Sequence, residues 1–162
     1  IGIIAAISIP SLLRARVSAN EAQAVGDTRS VITAEQTFAS ANCGYFDDVV
    51  NLCRAGGNCA AISIPNYPTA APEFLGGDLG RTSPYTKSGY NRSFLPGLPA
   101  PAPDPARCAT TSLLDYCYMS EPASLGLTGA RSFSGSANGA IYVDNAGAPI
   151  ACPIPAGTSN LE

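Results

Sequence analysis

The sequence predicts an α+β fold: a long, protruding N-terminal α-helix packed on a small antiparallel β-sheet of about three to four strands, with long Pro/Gly-rich, disulfide-bonded loops. Three observations predict it. Residues 11–41 contain no proline and one glycine, Gly26, amid Ala, Glu, Gln, Arg and Leu. The last third carries short aromatic and apolar runs bounded by turn residues. Between them, many of the 16 glycines, 14 prolines and 6 cysteines gather in polar connecting chain.

The helix comes first. Good helix formers dominate from Ser11 onward, and Leu13, Val17, Ala24, Val31 and Phe38 recur at spacings of four or seven, with Val25 and Ile32 beside them. That is one apolar stripe. Asn42, Cys43 and Gly44 form the expected C-terminal cap. Residues 1–41 then make one helix of roughly 60 Å at 1.5 Å per residue, whereas a domain of this size is only about 30–40 Å across. The helix must overshoot its own domain. Its overshooting end, residues 1–13 (IGIIAAISIPSLL), is uncharged and almost wholly apolar, and Arg14 and Arg16 close it. A signal peptide would place its cations before the apolar run, and a membrane span needs about 20 apolar residues. Pro10 removes one backbone hydrogen bond, and with Gly2 it marks a stretch able to kink or unwind.

Two regions are therefore expected: the helix at 1–41, divided into an apolar half at 1–13 and an amphipathic half at 14–41, and a globular head at 42–162. The head divides into a long loop at 42–107 and a sheet with C-terminal tail at 108–162. In the loop, LPGLPAPAPDPAR tends to polyproline conformation, and Pro72–Leu75 could make one helical turn. Residues 111–120 (TSLLDYCYMS) suit a strand. ARSFSGSANGAIYVDN reads as a hairpin, with Asn138–Gly139 as a two-residue turn between arms carrying Phe133 and Tyr142. Leu113, Tyr116, Tyr118, Phe133, Ile141 and Val143 are the expected sheet contributors to the core.

The formal net charge is −3, and the nine Lys and Arg residues are scattered. No basic stripe exists to neutralise phosphates, which argues against nucleic-acid binding. Histidine is absent, removing the commonest general base and metal ligand. The six cysteines lack the close pairs of a zinc site and point to structural disulfides made in an oxidising compartment. Cys43, Cys53 and Cys59 precede the Pro-rich segment; Cys108, Cys117 and Cys152 follow it. Three lie on each side, so full intrachain pairing requires a bridge across it.

The stretch IGIIAAISIPSLLRARVSANEAQAVGDTRSVITAEQTF resembles the N-terminal helix of type IV pilins and type II secretion pseudopilins, most specifically in GIIAAISIP followed by LLRARVSANEA. By that alignment about a dozen apolar residues would precede Ile1, and neither the family's methylated first residue nor its early glutamate is present in the sequence. The resemblance implies a structural subunit that polymerises through its N-terminal helix into an extracellular type IV pilus-like filament; the alternative is a pseudopilin of a type II secretion piston. It implies no enzymatic activity and no cofactor. The implied partners are further copies of the chain in a helical homopolymer, the inner membrane before assembly, the pilus assembly machinery and a prepilin peptidase. Ile1, Gly2, Ile3, Ile4, Ile7, Ile9, Pro10, Leu12, Leu13 and Val17 would form the filament core, unwound near Pro10 in the assembled state. Cys117–Cys152 would tie a strand to the tail, as in many pilins. Cys53–Cys59 or Cys43–Cys59 is then the expected local bridge, and Cys43 or Cys53 joined to Cys108 the crossing one.

Other candidate chemistry is weaker. Asp47–Asp48 reads as an exposed turn rather than an acid–base pair. Asp144–Asn145 lacks the spacing of a calcium loop. NRS at Asn91 fits a glycosylation pattern. The seven Tyr and five Phe read as packed core rather than an electron path, since among them only Phe38 lies on the helix stripe.

Overall fold

The computed structural model describes residues 2–101, 104–154 and 158–161, with side chains described from residue 9 onward. One helix, α1 (Gly2–Ala41), spans 40 residues with Pro10 inside it. It ends where the sequence places its cap. Cys43 takes a left-handed φ of 58° and Gly44 one of 86°, and the Gly44 N–H donates back to the Ala39 carbonyl at 2.8 Å. This satisfies a carbonyl the last turn would otherwise orphan. The Asn42 side chain is fully buried. It donates to Tyr45 O and Ser112 Oγ and accepts from Ala109 N, fastening the end of the helix to the loop before the central strand.

Among the described residues six strands follow in a simple antiparallel meander: β1 (Tyr85–Lys87), β2 (Tyr90–Pro96), β3 (Tyr116–Pro122), β4 (Ser132–Ser136), β5 (Ile141–Asp144) and β6 (Asn160–Leu161). The α+β class stands, but the expected count of three to four strands is corrected to six. Two of the extra strands lie inside the segment read as loop 42–107. The β1–β2 hairpin turns on Ser88 and Gly89, both at positive φ (49° and 72°), which suits tight hairpin connections. Strand β2 alternates with Tyr90, Arg92 and Phe94 inward. The expected strand at 111–120 begins later, at Tyr116; ahead of it Leu113 makes only isolated bridges to Phe46 and Pro99. The hairpin around Asn138–Gly139 forms, but its loop covers residues 137–140 rather than two. Pro72–Leu75 is not helical; the turn there is Gly77–Leu79, and a 3-10 turn occurs instead at Val49–Asn51.

One face of the sheet packs on α1. The approach is closest at Gly135 of β4, where an added Cβ would meet Ile32 and Thr28 side-chain atoms at 2.8 Å; a larger residue would push helix and sheet apart. Leu113, Tyr116, Tyr118, Phe133, Ile141 and Val143 are all buried, as expected. One cluster gathers Ala24, Ile32, Tyr90, Phe133, Ile141 and Val143. The other runs from Val31 and Phe38 to Leu52, Leu79 and Phe94, with Phe38 edge-on to Phe74 and Phe94 stacked on Tyr116.

Three disulfides tie the head: Cys43–Cys108, Cys53–Cys59 and Cys117–Cys152. One is local, one ties β3 to the tail, and one crosses the Pro-rich segment, as the parity of the cysteines requires.

Candidate functional site

Helix α1 divides near Asn20. On the N-terminal side Ile9, Leu12 and Leu13 are 59%, 72% and 50% exposed. Pro10, Arg14 and Arg16 are exposed too, and Val17 is half-buried. From Ile9 to Ala19 no side chain is buried; Glu21 is the first that is. Among the described residues, the apolar stripe from Ile9 to Leu13 thus continues past the head without being buried against it. Gly2, Ile3, Ile4 and Ile7 are described by backbone alone, which is helical, and Ile1 lies outside the described residues. The helix continues through Pro10 in the single chain. Among the described residues, no helix is long and apolar enough to cross a membrane.

The neck is clamped. Buried Glu21 accepts the Ala130 and Arg131 N–H groups on one oxygen, and on the other the Arg131 Nε and NH2 groups at 3.0 and 2.7 Å. Burial pushes the Glu21 carboxyl up. The Ala130 N–H and the Arg131 guanidinium outweigh that and hold it below its usual range. One residue earlier, Asn20 Nδ2 donates to Thr128 O at 2.9 Å. The overshooting end is therefore held at a fixed origin on the β3–β4 loop.

Below the neck a buried ionic centre joins helix to sheet. Arg92 of β2, fully buried, donates to Asp27 Oδ2 at 2.8 Å and to Ser120 Oγ at 2.5 Å, and lies over the Tyr90 ring. Gln23 and Lys87 both donate to Asp27 Oδ1, and Lys87 also reaches Asp78 at 2.8 Å. Burial alone would lower the Lys87 pKa, but the Asp78 and Asp27 hydrogen bonds raise it overall. Desolvation lifts the nearby Tyr90 hydroxyl to about 12. Removing one member of such a centre leaves an uncompensated buried charge.

A second polar centre lies at the far end of α1. Glu35 is fully buried. Among the described residues its Oε2 accepts only the distant Asp47 N–H, at 3.4 Å, and its Oε1 has no partner. Desolvation drives its carboxyl well above the usual range, with Asp47 and Asp48 adding to the rise. Asp47 corrects the expectation of an exposed turn: it is 1% exposed. Its carboxylate accepts from Asp48 N, Asn51 Nδ2, Ser63 Oγ and Thr111 Oγ1, and four donors are what allow a carboxylate to be buried. Asp48 is half-buried and accepts the Val50 N–H as the cap of the 3-10 turn.

The remaining candidates have local roles. Asp144 accepts the Ala146 and Ala148 N–H groups, and Asn91 is exposed on β2, accepting from Thr86. Among the described residues, no three Cys, Asp or Glu side chains are grouped to hold a metal ion. Sequence reasoning missed the Asp27–Arg92 and Glu21–Arg131 pairs. A signal was present: Glu21, Ala24, Thr28, Val31, Glu35 and Phe38 repeat at alternating spacings of three and four, so two carboxylates lie on the stripe itself. No protein-family profile, no curated protein and no solved structure matches this chain.

Proposed function

We propose that the chain is a structural subunit that polymerises through its N-terminal helix into an extracellular type IV pilus-like filament. The observation that carries the reading is a helix whose apolar end stands bare beyond a firmly clamped neck. Such a surface favours burial by about 25 cal/mol per Å², and among the described residues the bare segment finds no apolar partner in its own head. Parallel packing of several such helices covers it and leaves the heads outside. The resemblance of the helix to type IV pilins supports the same arrangement. It adds a membrane-held precursor, a prepilin peptidase and an assembly machine as partners, and unwinding around Pro10 on assembly. Three disulfides suit a surface exposed outside the cell.

The test is to shear surface filaments from producing cells, image them and analyse their mass. The expected result is long filaments containing this chain as a repeating component, with its six cysteines oxidised. Short periplasmic filaments would instead favour the secretion piston, and recovery of the chain only as free monomer would overturn the proposal.

A further inference from the structure

The head exposes leucines in two patches at opposite ends of the sheet. Leu125 and Leu127, 60% and 67% exposed, sit on the β3–β4 loop, which is pinned to the helix at Asn20 and Glu21. Leu95, Leu98 and Leu114 form the other patch. Leu114 N donates to Leu98 O, Leu113 pairs with Phe46, and Ser112 bonds Asn42. This second patch therefore lies beside the C-terminal end of α1. The helix between Asn20 and Asn42 places the two patches roughly 30 Å apart along its axis.

Their shapes differ. The β3–β4 loop is a knob folded on itself, with Leu127 and Thr128 N–H groups donating to Ser124 O and Gly126 N to Gly129 O. The far end is concave: Leu95 and Leu98 flank a groove of about 790 Å³, walled also by Asp115, Asn138, Tyr142 and Ile154. Their charges differ as well. Arg14 and Arg16, just beyond the knob, are exposed and form no ion pair among the described residues. Asp104 and Asp115 at the far end are exposed and equally without an ion pair among the described residues, with Arg107 near Asp104. Two unlike, complementary ends repeated head to tail make a ring where the rotation closes and an open helical polymer where it does not, and parallel bundling of the helices requires the open form.

We infer that the β3–β4 knob of one copy seats in the Leu95–Leu98 groove of the next copy along the filament, bringing Arg14 and Arg16 of the first toward Asp115 and Asp104 of the second. This contact rests on the filament reading above and specifies how the heads stack in it. The helix from Gly2 to Asn20 is itself about 30 Å long, so the apolar end of the upper copy runs the length of the head beneath it. The leucines involved fall far short of the roughly 20–30 residues per side of a stable interface. The contact holds only where helices are already bundled.

A benzophenone side chain placed at position 127 of the full chain, irradiated in assembled filaments, tests this. The expected cross-linked peptide of the neighbour contains Leu95–Leu98, Leu114–Asp115 or Asn138–Tyr142. A cross-link to the neighbour's own β3–β4 loop, or none from intact filaments, overturns the contact while leaving the filament in place. No filaments from the unmodified chain overturns both. Independently, Leu125→Ser with Leu127→Ser should cut the yield of sheared filaments several-fold without lowering the melting temperature of the head. Unchanged yield contradicts the inference.

Discussion

The two halves of α1 are one continuous helix with opposite fates. From Glu21 to Asn42 the inward positions meet the rest of the chain: Glu21 an arginine, Asp27 an arginine and a lysine, Phe38 an aromatic ring, Asn42 three hydrogen bonds. From Ile9 to Val17 the apolar residues continue, and no other part of the chain meets Ile9, Leu12 or Leu13 closely enough to bury them. An amphipathic stripe states that one face needs a partner. It does not state which molecule supplies it. The lower half finds that partner within its own chain; among the described residues the upper half does not, which is why other copies are proposed as its partner.

Substitutions in the lower half should have the largest effects. Asp27→Ala leaves the Arg92 guanidinium buried without its counter-charge and is expected to cost about 3–5 kcal/mol of head stability, read as a fall in the denaturant midpoint. Replacing Cys43 and Cys108 together by Ala opens a loop with a sequence separation of 65. The chain-entropy model assigns about 4 kcal/mol to that closure, against about 2 kcal/mol for Cys53–Cys59, so the two double variants should rank in that order on thermal melting.

Glu35 makes the stability of the lower half depend on pH. Its folded carboxyl lies well above its unfolded value, so the folded state holds the proton more tightly. Its contribution is full below about pH 4.5 and is lost as pH rises through the raised folded pKa. Asp48, raised chiefly by burial, acts in the same direction. Glu21, whose folded pKa is lowered, contributes above its unfolded value and loses that contribution in acid. Glu35→Gln should flatten the decline of stability on the alkaline side; an unchanged pH profile would contradict the buried carboxyl. The smallest effect on the head belongs to the upper half. Leu12→Ser and Leu13→Ser should move its stability by no more than about 0.5 kcal/mol while abolishing filaments.

The long helix, its cap, the core aromatics and the crossing disulfide were legible because each rests on local pattern or on parity. Strand β2 was not. Its inward alternation is Tyr90, Arg92 and Phe94, and an arginine at the middle inward position reads as an outward one until Asp27, 65 residues away, is seen to neutralise it. Asp47 failed for the same reason: beside Asp48 it reads as a solvated turn, yet Ser63 and Thr111, 16 and 64 residues away, supply the donors that let it be buried. Buried charge depends on partners distant in sequence, and local periodicity carries no record of them. The bare helix end was legible in outline, since a helix longer than its domain must overshoot. The neck that fixes its origin was not, because Glu21 looks like an ordinary surface residue until it meets the β3–β4 loop.

The central claim is that the exposed apolar end of α1, rather than the head, drives assembly. Sedimentation of the chain lacking Ile1–Leu13, compared with the full chain under identical conditions, measures it most directly. The shortened chain should be a soluble monomer with all three disulfides intact while the full chain forms large polymers. Polymers formed by the shortened chain would show that heads alone suffice and would contradict the assignment.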